Sequence, residues 1–171
     1  MIANLVDVPL QISQFKSPIG VINLIAADQI LLGLNLSSIK ALKDGLDEAD
    51  YSRGFREVSK IEAISDLLND YFAGDIEAIN GISVRQPGAQ FSQDAWKAMR
   101  KVKAGKTLSY ADLADRAGSA AAVRAAGSAC AKNAIALVVP CHRIVKTGGA
   151  LGNYAYGLNK KEWLLHHEGA L

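Results

Sequence analysis

The chain has 171 residues, 50% hydrophobic, 21% charged and 6% aromatic, with a formal net charge of +2. That is enough apolar material for a real core, which excludes a disordered or fibrous chain. Its most apolar stretch, residues 21–36, is interrupted by Asn23, Asp28 and Gln29 and falls short of the roughly 20 residues of a bilayer span, and the first ten residues hold no Lys or Arg. A protein without membrane contact, in the cytoplasm, is the expectation.

In chain order, residues 10–15, 21–27 and 30–36 are short apolar or alternating runs separated by Ser17-Pro18-Ile19-Gly20 and Asp28-Gln29, which predicts a β-meander. Residues 55–72 place Val58, Ile61, Ile64, Leu67, Leu68, Tyr71 and Phe72 on one helical stripe closed by Gly74. Ser92 is positioned to cap a helix to about Lys103, Ser109 a short helix to Ala117, Ser119 a helix through Lys132, and Asn159 a helix from Lys160 to His167. The two middle helices, joined by a tight turn at Gly118, predict a helix-turn-helix. The whole reads as an α+β chain. A small amino-terminal antiparallel sheet with a helix (1–90, scaffold) precedes a mainly helical carboxy-terminal domain (91–171) with a helix-turn-helix and an active-site strand and turn.

Charge divides along the same line. Residues 1–90 carry 7 basic and 12 acidic side chains, giving −5, and residues 91–171 carry 12 and 5, giving +7. A basic half attracts polyanions, with Lys97, Arg100, Lys101, Lys103, Lys106, Arg116, Arg124, Lys132, Arg143 and Lys146 as phosphate contacts, although a solvated charged surface produces the same count. Arg124 stands among Ala120, Ala121, Ala122, Ala125, Ala126 and Ala129, so a low surface around one long cation is expected, either in a groove or at the rim of a buried helix.

The only cysteines are Cys130 and Cys141, and His142, His166 and His167 form no His-x-x-x-His pair. No metal site or disulfide scaffold is expected. Residues 135–139 form a wholly apolar run of strand type that delivers Pro140-Cys141-His142-Arg143. A cysteine becomes a nucleophile as thiolate, and a neighbouring imidazole helps only if the chain turns there or a water bridges the two. Cys130, with no activating partner in view, is assigned a structural role, His166 a surface position, and His167 none.

An ordered series of motifs carries a resemblance. Leu108-Ser109-Tyr110, Ala122-Val123-Arg124-Ala125-Ala126-Gly127, Asn133, Pro140-Cys141-His142-Arg143-Ile144-Val145, Gly152-Asn153-Tyr154 and Lys161-Glu162-Trp163-Leu164-Leu165-His166-His167-Glu168-Gly169 resemble the active-site domain of O6-alkylguanine-DNA alkyltransferases. The resemblance implies that Cys141 accepts an alkyl group from O6 of guanine, and that His142 is its base through a water, oriented by Glu168. It implies that Asn133 ties the helix-turn-helix to the active-site turn, and that Tyr110 assists the departing guanine and its rotation. It implies too that Arg124 fills the gap in the base stack while Ala122, Ala125, Ala126, Gly127 and Arg143 meet DNA. Main-chain groups of Val139 and Cys141, with Pro140, Tyr154, Ala155 and Tyr156, are expected from the same resemblance to form the pocket.

The target lies inside a stacked duplex, so it must be flipped out. The alkylated thioether offers water nothing to attack, so a single turnover is implied, by a monomer on double-stranded DNA containing O6-alkylguanine, with no cofactor. Two departures stand out. The family's prolines are replaced in Asn133-Ala134-Ile135-Ala136, which implies a less stiff pocket. Bulky Tyr156 stands where small residues are usual, which predicts a preference for methyl over benzyl adducts. Three alternatives compete: a lesion-binding protein that accepts nothing, which Cys141 argues against, a cysteine hydrolase, and a plain helix-turn-helix regulator.

Overall fold

A computed structural model describes residues 8–171. The chain divides into two compact units, Met1–Pro87 and Gly88–Leu171. In the first, β1 (Leu10–Ser17), β2 (Gly20–Ala27) and β3 (Ile30–Asn35) form the antiparallel meander. Asp28 and Gln29 both take positive φ, 50° and 67°, as a two-residue turn matching the right-handed strand twist requires. After β3 come α1 (Ile39–Asp44) and α2 (Glu48–Tyr51), neither of which the periodicity predicts.

The sheet is not purely antiparallel. β4 (Phe55–Glu57) and β5 (Ser83–Val84) add as parallel edge strands, giving the order β4-β1-β2-β3-β5. The predicted helix over residues 55–72 is thereby cut short. Its first residues find hydrogen-bond partners on β1, continued by Val58 N–H donating to Ile12 O at 2.8 Å, and α3 runs only from Glu62 to Phe72. The stripe within it is real, with Ile64, Leu68 and Tyr71 buried. Central β2 is buried throughout its last six residues, and Leu10, Ile12, Ile25, Ala27, Leu32 and Leu42 form a core cluster. Amides relay across the meander: Gln14 donates to Asn23 (2.9 Å), Asn23 to Asn35 (3.1 Å) and Asn35 to the Ser38 carbonyl (2.9 Å). Buried Asn23 and Asn35 thus find the partners that burial demands.

In the second unit, α4 (Gln90–Arg100) starts from Ala89, not Ser92, which lies in its first turn. The boundary expected after Gln90 therefore falls inside a helix. Buried Trp96 fastens α4 to α6 (Val123–Lys132) by donating its indole N–H to the Ala129 carbonyl at 2.9 Å. Two-residue β6 (Leu108–Ser109) leads into α5 (Tyr110–Arg116), which Ser109 caps as predicted by accepting from Asp112 N–H at 3.0 Å. Ser119 does not cap α6. Its carbonyl accepts from Ala122 N–H in a turn, so Ala120 and Ala121 lie between the helices and Ala122 is the residue before α6.

The last helix, α7 (Leu158–His167), begins after Gly157 rather than at Asn159. Gly157 has φ 105°, a left-handed conformation that favours glycine. No helix among the described residues is long and apolar enough to cross a membrane.

Candidate active site

The apolar run at 135–139 is not a strand. It is a knot of tight turns: Val139 N–H returns to Ile135 O (3.0 Å), Val138 N–H to Ala136 O (2.8 Å) and Cys141 N–H to Val139 O (2.8 Å). The middle bond closes a three-residue turn around Leu137 at φ 70°, the rare and strained γ conformation for a side-chain-bearing residue. Hydrophobicity marked the run as buried, which it is, but could not distinguish a strand from a folded knot. The chain goes straight from Pro140 into a 3₁₀ turn, Cys141–Arg143. Side chains that would alternate on a strand are instead fanned from one turn.

Asn133, at the end of α6, holds this knot. Its amide donates to Val139 O at 2.8 Å and Ile135 O at 3.4 Å, while its oxygen accepts from Ile135 N–H at 3.1 Å. The same side chain reaches the Cys141 thiol. These bonds stand where prolines at 134 and 136 would have fixed the backbone. They also occupy the Val139 carbonyl twice, from Asn133 and from Cys141 N–H. With both lone pairs used and its side chain buried, Val139 is not a pocket-lining group. Pro140 is likewise buried beneath the turn.

Behind Cys141 lies a buried charged relay. His142 Nε2 is 2.9 Å from Glu168 Oε2, and Arg143 grips the same carboxylate with Nε to Oε1 and Nη2 to Oε2, both at 2.9 Å. Arg143 Nη1 completes the set on Val102 O at 2.7 Å. All three side chains are buried. Burial alone would raise the Glu168 pKa, but His142 and Arg143 outweigh it and hold the carboxyl well below the usual range. Burial, only partly offset by Glu168, lowers that of His142, so the imidazole is neutral at pH 7. Since an ionised carboxylate only accepts, Nε2 carries the proton. Nδ1 is left with its lone pair and no hydrogen-bond partner among the described residues.

The placement of Arg143 corrects its assignment to DNA. A guanidinium 1% exposed and bound at three nitrogens has nothing to offer a phosphate. Ala126 is corrected too, since it faces the protein interior at 0% exposure, as does Ala129. Arg124 and Ala125 are exposed on α6, and Ala122 and Gly127 are half-buried. The other nine basic residues proposed to meet phosphate all keep some exposure.

Two-stranded parallel pairing of β6 with β7 (Ile144–Val145), Leu108 opposite Ile144 and Ser109 opposite Val145, fixes the start of α5 beside the turn. Tyr110 is therefore presented to the same cavity as Cys141. That cavity, about 790 Å³, is lined by Tyr110, Arg124, Gly127, Cys130, Asn133, Cys141, Tyr154, Ala155 and Tyr156 among others, within the ~300–1,000 Å³ typical of small-molecule sites. Gly152, at φ 76°, brings the following loop so close that a Cβ would sit 3.2 Å from the Tyr110 ring and hydroxyl. Burial, then the two thiols, push Tyr110 up to about 12, keeping it a proton donor at neutral pH. Tyr154 and Tyr156 meet edge to face at 5.5 Å, and the buried Tyr154 hydroxyl has no partner among the described residues. Burial pushes the Cys141 thiol up, while Asn133 and Lys161 pull it down.

The family model described as 6-O-methylguanine DNA methyltransferase, DNA binding domain, matches residues 90–170. The chain is 41% identical over 120 residues to a methylated-DNA–protein-cysteine methyltransferase of Salmonella typhimurium, covering 69% of this chain and 70% of that protein. With the same-named protein of Methanosarcina acetivorans it shares 34% identity over 157 residues, 91% of this chain and 96% of the relative. The chain belongs to the methylated-DNA–protein-cysteine methyltransferase family. A crystal structure of Mycobacterium tuberculosis OGT in complex with DNA superposes with a TM-score of 0.77 at 30% identity, covering 94% of this methyltransferase chain and 93% of the other.

Two residues of this methyltransferase site escaped the sequence reading. Lys161, 0% exposed, bridges the turn and the loop by donating to Ile144 O at 2.6 Å and Asn153 O at 3.2 Å. A lysine in a polar helix start reads as solvated, and only its place in the Lys161-Glu162-Trp163 motif marked it. Cys130 was assigned a structural role, yet it lines the cavity together with Cys141. His166 is exposed, and His167 stacks on Trp163 at 4.8 Å.

Proposed function

We propose that this protein repairs DNA by moving the alkyl group of an O6-alkylguanine onto Cys141, once per molecule and as a monomer. The observation that carries the reading is Cys141 at the wall of a cavity of about 790 Å³, with the buried His142–Glu168–Arg143 relay behind it and the exposed Arg124 at its rim.

The thiol proton passes through a water to the free lone pair at His142 Nδ1, and Glu168 steadies the imidazolium that forms. The thiolate attacks the alkyl carbon in line, the carbon–oxygen bond breaks, and its electron pair returns to the guanine. Tyr110, protonated at neutral pH, donates toward the departing base. Arg143 never touches DNA; it positions Glu168. Because the target oxygen lies within a duplex, the nucleotide must leave the stack, and Arg124 on α6 fills the space it vacates. A thioether has no carbonyl for water to attack, so the modified protein is spent.

The test is incubation of the full chain with a methylated duplex, followed by peptide mass mapping and analysis of the DNA. One methyl group on the Cys141 peptide per chain, with unmodified guanine restored, supports transfer. Tight binding with no added mass, or methyl loss that persists in Cys141→Ser, overturns it.

A further inference from the structure

We infer that Cys130 is a resolving thiol for Cys141: when peroxide oxidises Cys141, Cys130 closes a disulfide with it and saves the acceptor from irreversible loss. Both residues line the same cavity, and both are free cysteines of intermediate burial. They are linked through one residue, by its backbone to Cys130 and by its side chain to the segment that carries Cys141. Asn133 N–H bonds to the Cys130 carbonyl at 3.3 Å, and the Asn133 amide reaches both the Cys141 thiol and the knot that carries it, at Val139 O. Cys130 lies in the last turn of α6, where the chain ends its helix and folds back. The buried ammonium of Lys161 acts electrostatically on each sulfur. The pairing does not depend on which alkyl group Cys141 accepts in repair.

The chemistry balances with one equivalent of peroxide. The Cys141 sulfur attacks a peroxide oxygen, the O–O bond breaks, and water leaves with the thiol proton, giving a sulfenic acid. The Cys130 sulfur then attacks the Cys141 sulfur, the S–O bond breaks, and a second water leaves with the Cys130 proton. Two sulfurs have each given up one electron to the peroxide. Burial first, then the neighbouring Cys141 charge, hold Cys130 protonated up to about 12. An external dithiol reverses the bond. For a molecule that works once, a reversible closed state preserves material that a sulfinic acid would waste.

The experiment treats the full chain with about one and then several equivalents of hydrogen peroxide, alkylates remaining thiols, and maps peptides without reductant. The expected result is a Cys130–Cys141 linked peptide, simultaneous loss of both thiols, and alkyl transfer that falls with the link and returns after dithiothreitol. Cys130→Ala and Cys130→Ser, each compared with its own unoxidised sample, should accumulate sulfinic acid at Cys141 and fail to recover. The inference is overturned if the wild-type protein carries sulfinic acid at Cys141 while Cys130 stays titratable, if links form only between chains, or if neither thiol reacts. The peptide readout needs no DNA, so these outcomes are separable from any failure of alkyl transfer.

Discussion

Arg143 and Glu168 form a two-pronged ion pair inside the protein, with side-chain exposures of 2% and 0%. Removing one partner strands a buried charge, at a cost of about 3–5 kcal/mol. Glu168→Gln should therefore melt far below the wild type at pH 7, and transfer by whatever remains folded should slow more than DNA binding weakens. Because the folded-state pKa of Glu168 lies below its ordinary value, the stability it contributes is complete above about pH 4.3 and is lost as pH falls through the folded value. Asp50, whose pKa the hydrogen bond from Arg85 lowers, adds loss in the same direction. Thermal melts as a function of pH check this: the wild type loses stability toward acid more steeply than Glu168→Gln does.

Asn133→Asp keeps the oxygen that accepts from Ile135 N–H but deletes the donor to Val139 O. It also sets a negative charge beside the Cys141 thiol. Destabilisation of about 1–3 kcal/mol is expected from the lost buried hydrogen bond. The thiol pKa should rise, shifting the pH–rate profile for alkyl transfer to more alkaline values. A merely structural Asn133 would lower stability without moving that profile.

Arg124→Ala tests base extrusion. Its side chain is exposed and belongs to no ion pair among those found in the second unit, so stability should change by less than about 0.5 kcal/mol. Transfer from a methylated duplex should drop severalfold or more, while reaction with free O6-methylguanine, which needs no extrusion, stays near the wild-type rate. Equal losses on both substrates would place Arg124 in the chemistry instead.

Tyr156→Ala should open the cavity where that ring meets Tyr154 edge to face. The measurement is the ratio of inactivation rates with O6-benzylguanine and with O6-methylguanine. We expect the ratio to rise in the variant. An unchanged or lower ratio means that Tyr156 grips the larger adduct rather than excluding it.

What could be read from the residues themselves was local or compositional. The β2–β3 turn at Asp28-Gln29, the Ser109 cap of α5 and the apolar stripe of α3 depend on neighbours a few residues away, and all stand in the fold. The ordered motifs around Tyr110, Arg124, Cys141, His142 and Glu168 likewise carried the family resemblance, and the family is what the comparisons show. Tertiary structure decided which backbone groups found distant partners. Residues 55–57 became an edge strand because β1 was there to pair with, and residues 135–139 became a knot because Asn133 could bond to Val139. It also decided the fate of charge: Arg143 and Lys161 look like surface cations in sequence, yet each is drawn inside by carboxylate or carbonyl oxygens. Burial of a charge depends on partners far along the chain, and periodicity over one or two turns carries no record of them.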